Sequence, residues 1–229
     1  MSTPTRPPGG TDWSYETLRD CLTHERLGSY LKASRNELSE AFALYEWNME
    51  ASASVLSLTS MTEVVVRNAL DRELTAWAAR KDADREWFDL APLDSQGRQD
   101  LAKARDRATR RGKQPERHGK VIAELSLGFW RFLVEQRYFT SLWVPATHAS
   151  FPGGPADLRA RQRAVKNRLQ QLTFVRNRAA HHEPIHRRDL LNDLRAAIDL
   201  AEWACPDAGA WTRATSTLAE VARKRPVTA

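Results

Sequence analysis

Residues 55–77 read VLSLTSMTEVVVRNALDRELTAW, and their spacing decides the fold class. Val55, Leu58, Thr62, Val66, Ala69, Glu73 and Trp77 advance by threes and fours, which draws one stripe down a helix. Leu191, Leu194, Ile198 and Ala201 repeat the pattern, and Cys205-Pro206 stops it. No sustained period-two alternation bounded by turn residues occurs, so the sequence predicts an all-α protein without a sheet. Helices are expected near 14–25, 28–45, 50–80, 95–111, 117–143, 156–181, 188–204 and 207–223. Pro92, the stretch 112–115, SFPGGP at 150–155 and Pro184 punctuate them. The segment 144–155 is a candidate linker, but the helices beside it are apolar enough to share one core. One helical domain over 13–229 is therefore expected, behind a disordered tail at 1–12.

Composition narrows the class. The 229 residues carry a formal net charge of +6 and a pI near 9.6, which favours a polyanionic partner and also serves solubility. Two distant cysteines, Cys21 and Cys205, make no disulfide framework and suit a reducing cytoplasm. The N-terminal MSTPTRPPGGTDW lacks the apolar run of a signal peptide. No uninterrupted apolar run approaches the roughly 20 residues that span a bilayer, so no membrane partner is expected.

Reactive residues crowd into one place, VRNRAAHHEPIHRR at 175–188, which holds three of the six histidines. From Leu158 to Arg188 nine Lys or Arg face one acid, Glu183. Such a run is ordinarily a solvated helix face; here it leads into the histidines, which points to an anionic substrate. Val165, Leu169, Leu172 and Ala179 share a face, and Arg176 is expected within that stripe. A core-facing arginine requires an internal carboxylate, a polar subunit interface or a bound phosphate. His181 lies about 140° around a regular helix from Arg176. Pro184 disfavours helix at Glu183, so the chain is expected to leave the helix at His181 or His182.

Two patterns mislead. His182-Glu183-Pro184-Ile185-His186 spells HExxH, but that zinc chemistry needs both histidines on one face of an unbroken helix, which Pro184 opposes. No metal site and no cofactor are expected. The short Arg-polar-three-His pattern of RNRAAH at 176–181 also occurs in RDCLTH at 19–24, so six letters alone carry little.

The longer context, RNRAAHHEPI at 176–185, resembles the signature of Abi-like (abortive infection, AbiD/AbiF type) proteins of the HEPN superfamily. FALYEWNMEASASVLSLTSMTEVVVRNAL at 42–70 is similar to the family's N-terminal block, and LSLGFWRFL at 125–133 with SLW at 141–143 to its central block. The likeness spans roughly residues 25–223, with 95–120 the weakest part. It implies a HEPN-like helical bundle with additional helices, and a homodimer that brings two R-x4-6-H motifs together. Many members are metal-independent ribonuclease toxins of antiviral defence. By position, Arg176, Asn177 and His181 are the motif's catalytic candidates, and His182 also matches this branch. Arg178, His182, Arg187 and Arg188 are candidate RNA-binding residues. Glu63, Arg67 and Asn68 match a supporting polar cluster, although Glu63 and Arg67 equally suit a helix-surface i,i+4 pair.

The expected chemistry is RNA cleavage by an adjacent 2′-hydroxyl, with His181 moving the proton and Arg176 holding the phosphate. A two-fold dimer supplies the second imidazole, and RNA is the partner along with an antitoxin (protein or RNA) that the sequence does not name. The alternative is a HEPN-type module that binds RNA or a nucleotide without cutting it. A DNA-binding regulator ranks behind, since no compact helix-turn-helix is apparent, and a helical adaptor ranks last. Trp130, Trp143 and Phe174 are available for base stacking but are expected in the core.

Overall fold

A computed structural model describes residues 13–227, and the tail expected at 1–12 lies outside the described residues. The described residues are helical, with no strand among them. The eleven α-helices are α1 Tyr15–Leu22, α2 His24–Ala33, α3 Leu38–Lys81, α4 Trp87–Leu90, α5 Ser95–Ala108, α6 His118–Glu124, α7 Leu127–Leu133, α8 Leu158–Ala180, α9 Leu190–Ala204, α10 Pro206–Thr215 and α11 Leu218–Arg223. Among the described residues, no helix is long and apolar enough to cross a membrane.

The chain forms two compact units. Among the described residues, one takes 13–57, Val175–Leu191 and 216–227; the other takes Leu58–Phe174 and Asn192–Thr215. The 144–155 segment lies inside the second unit and is not a linker.

In the first unit, α1 begins where the Ser14 hydroxyl accepts the Thr17 N–H at 3.3 Å, and α2 where Thr23 does the same for Arg26. Arg35 and Asn36 turn the chain with φ of 48° and 66°, and α3 then starts at Leu38. The break expected between 45 and 50 is absent. Residues 38–81 contain neither glycine nor proline, so nothing interrupts a helix of 44 residues. Leu27, Tyr30, Phe42, Leu44, Trp47, Val55, Ile185 and Val221 are buried in this unit, and the Trp47 Nε1–H donates to the Val221 carbonyl at 2.7 Å.

In the second unit, the stripe read from the sequence is buried at Leu58, Thr62, Val66, Ala69 and Trp77, with Thr62 donating to the Leu58 carbonyl. Trp87, Phe88, Phe129 and Trp130 form an aromatic cluster, with ring centroids 4.5–6.4 Å apart. The single helix expected over 117–143 is instead α6, α7, a 3₁₀ turn at Gln136–Tyr138 and a π turn at Phe139–Trp143. Leu125 and Glu135 are extended, and the Ser126 hydroxyl recaps the chain by accepting the Phe129 N–H. Ser216 and Thr217 divide the helix expected at 207–223 into α10 and α11.

Two smaller expectations are corrected. Of the stripe expected in α9, Ile198 and Ala201 are buried, but Leu191 is 43% exposed, and Leu190, Asp193, Ala197 and Leu200 complete the buried face. Asp193 accepts the Gln171 Nε2–H at 2.8 Å, so a polar residue occupies a position that apolar periodicity assigns to its neighbour. Trp130 and Trp143 are core, as expected, but Phe174 is 50% exposed.

Candidate functional site

The end of α8 carries the motif. Val165, Leu169, Leu172, Val175 and Ala179 are buried, whereas Arg176 and Asn177 are exposed. The expectation of Arg176 in the buried stripe is therefore corrected. The buried line turns from 165 and 169 towards 172, 175 and 179 as the helix proceeds, leaving Arg176 at its edge. The apolar stripe is already covered within one chain and is not a surface awaiting a partner. Arg176 Nη1 donates to Asn177 Oδ1 at 3.3 Å, so the two expected motif residues act on each other directly.

The helix stops at Ala180. The Glu183 N–H donates to the Arg178 carbonyl at 2.8 Å and the His182 N–H to the Ala179 carbonyl at 3.1 Å. With His182 at φ 57°, these bonds make a Schellman cap with histidine in the left-handed position that glycine usually fills. The departure at His181–His182 was legible from Pro184; the left-handed residue was not. Arg178 locks the turn by donating Nε–H and Nη2–H to the Pro184 carbonyl at 3.2 and 2.8 Å, and its Nη1 lies 3.4 Å from Glu183 Oε2. Its role is thus to hold the helix end, and Arg187 is the exposed cation beyond it. Arg188 is half-buried.

Beyond the cap, the loop is pinned from α3. Asn48 Oδ1 accepts the buried Ile185 N–H at 2.8 Å. His186 is 1% exposed, hydrogen-bonded through Nε2 to Ser29 Oγ at 2.7 Å, with its ring 5.0 Å from that of Tyr30. Burial first, then Arg187, Arg225 and Arg178, push its pKa down to about 4, so the ring is neutral. His186 is a core residue, unlike the two histidines at the helix end.

His181 and His182 are exposed. No described residue hydrogen-bonds or ion-pairs with the His181 ring. His182 borders a cleft of about 500 Å³ that Arg26, Tyr45, Asn48, Ser52 and Leu56 also line. Ser52 Oγ is buried without a partner. Tyr45, Asn48, Ser52 and Leu56 recur at helical spacing along one face of α3, a signal the sequence held but that only the α8 turn makes meaningful. Arg26 comes from α2 and had no sequence signal.

The HExxH letters do not form a metal-binding helix. His182 sits past the helix end at the cleft, and His186 lies in the core. Among the described residues, no group of three or more His, Cys, Asp or Glu is arranged to hold a metal ion. Glu63 and Arg67 are half-buried and Asn68 is exposed; Arg67 Nε donates to Asn68 Oδ1 at 3.3 Å.

Comparison with known proteins found no matching family model, no matching curated protein and no matching solved structure.

Proposed function

We propose that this protein is a metal-independent endoribonuclease of the abortive-infection type, working as a homodimer whose paired α8 ends form one cleft. The observation that carries the reading is the end of α8, where Arg176, Asn177, His181 and His182 are all exposed and Arg176 bonds Asn177. The carboxylate close in sequence, that of Glu183, is held by Arg178. Such an end offers an anion a planar fork of donors and a proton-transfer group.

In the proposed reaction the ribose 2′-oxygen bonds the adjacent phosphorus and the P–O5′ bond breaks. The products are a 2′,3′-cyclic phosphate and a 5′-hydroxyl end. His181 takes the 2′-hydroxyl proton, and the partner's equivalent imidazole protonates the leaving oxygen. Arg176 bonds a non-bridging oxygen as charge builds on it, and Asn177 orients the guanidinium. The Arg178 clamp and the Asn48 anchor fix the direction in which the end faces. RNA is the substrate, and an antitoxin is the expected partner that restrains the activity.

The test is incubation of the purified chain with end-labelled RNA in EDTA, beside the same sequence as DNA. Cleavage of RNA alone, with cyclic phosphate ends, is expected. Cleavage of both, or cleavage abolished by EDTA, contradicts the mechanism.

The cleft beside His182 favours a second reading, a module that binds RNA or a nucleotide without cutting it. Its size suits a small ligand, and Arg26, Tyr45 and Ser52 offer polar groups over an apolar floor. Measured affinity without turnover selects that reading.

A further inference from the structure

A second concave surface lies in the unit of residues 58–174 and 192–215, on the N-terminal half of α8. Gln136, Arg159, Gln162, Arg163 and Lys166 line a hollow of about 150 Å³. Arg159, Arg163 and Lys166 stand at steps of four and three, so successive helical turns present one cation each to the same side.

Two other cations of this half of α8 are already held by acceptors of the same chain. Arg168 is taken by Asp199 at 2.6 Å, and Arg161 donates to the Pro155 and His148 carbonyls. None of the three lining cations is paired with a carboxylate among the described residues. The neighbouring acids are engaged elsewhere: Glu135 by Arg131 and Arg137, and Asp157 by the Ala160 N–H at 2.7 Å.

The hollow is also preorganised. The Arg159 guanidinium stacks 4.3 Å over the Phe139 ring, which fixes a long side chain at little further entropic cost on binding. The floor is Gln162, 4% exposed, whose Nε2–H donates to the Glu135 carbonyl at 3.0 Å. Unopposed cations at regular intervals, with a fixed guanidinium among them, match a chain of phosphates better than a single small anion.

We infer that the Arg159–Arg163–Lys166 hollow binds the sugar-phosphate backbone of single-stranded RNA, as a contact separate from the α8 end. The inference rests on the RNA reading above and supplies that site with sequence-independent affinity.

The experiment measures binding of a labelled single-stranded RNA as a function of salt, with cleavage silenced throughout by His181→Ala. Arg159→Gln, Arg163→Gln and Lys166→Gln are combined in one variant. Neutralising three phosphate contacts is expected to lower the slope of log affinity against log salt by about 2. Affinity at low salt is expected to fall at least tenfold. The control combines Arg19→Gln, Arg213→Gln and Lys224→Gln, which removes the same charge from cations paired with Asp20, Glu202 and Glu220. It is expected to keep the parent slope.

A triple variant that retains the parent slope and affinity overturns the inference and leaves the ribonuclease reading intact. Equal losses in the triple variant and the control also overturn it, since net charge then explains both. If the parent chain neither binds nor cuts RNA, both readings fail together. Arg163→Lys keeps the charge and is expected to keep the slope, which separates a binding defect from a folding one.

Discussion

Asn48 and Ile185 are 137 positions apart, and the Asn48 side-chain oxygen accepts the Ile185 N–H at 2.8 Å in a buried setting. This one bond ties the loop after the α8 cap to the N-terminal part of α3. Asn48→Ala leaves the Ile185 N–H buried without an acceptor. A loss of about 1–3 kcal/mol is expected, read from the denaturation midpoint at unchanged m-value. Stability equal to the parent's contradicts the anchoring role.

His182 occupies a left-handed conformation, φ 57°, which costs a side chain and suits glycine. His182→Gly is expected to leave the melting temperature unchanged or to raise stability by up to about 1 kcal/mol. His182→Val, β-branched in the same conformation, is expected to cost more than 1 kcal/mol, on the order of the strain of such outliers. The opposite ranking of the two variants contradicts the cap.

A Cβ on Gly209 meets Glu202 Cβ at 2.5 Å and Glu202 Cα at 2.7 Å, so α10 packs on α9 at a distance only glycine allows. Gly209→Ala raises helix propensity yet is expected to destabilise by about 1–3 kcal/mol, because two backbones must part. Thermal unfolding decides between the two effects.

Two histidines set opposite limbs of the pH–stability curve. His118 is bracketed by Asp71 and Glu86, each 2.8 Å away. Burial opposes its charge, but the Asp71 bond and the two carboxylates outweigh it and raise the pKa. The raised group stabilises fully below its unfolded pKa near 6.5 and loses that contribution as pH rises through the folded pKa. His186, lowered to about 4, stabilises fully above about 6.5 and loses its contribution as pH falls towards 4. The acid loss is on the order of 3 kcal/mol. A stability maximum near pH 6.5 is expected, with His118→Gln flattening the alkaline limb and His186→Gln the acid one. Limbs exchanged between the variants contradict the assignment.

The helical class was readable because a stripe such as Val55, Leu58, Thr62 and Val66 reports burial on one face of a regular helix. The continuity of α3 was not read, although no breaker stands between 38 and 81, because apolar periodicity alone does not mark where one helix ends and another begins. The end of α8 followed from Pro184. The exposure of Arg176 did not, because helical angle places a residue on a stripe without saying how far the covering elements extend. Arg26, Ser29 and Asn48 join the histidine segment only through tertiary packing, so no local spacing announces them. The same holds for His186, which looked like a member of the reactive cluster and is a buried partner of Ser29 and Tyr30.

The most direct test of the central claim is the single-turnover rate of RNA cleavage by the parent chain, His181→Ala and Arg176→Ala, with the mass of the native assembly measured in parallel. Both side chains are exposed, so both variants are expected to keep the parent fold and dimer mass while losing 10²-fold or more in rate, roughly the contribution of a positioned proton-transfer group or phosphate donor. A His181→Ala protein that cuts RNA at the parent rate contradicts the account.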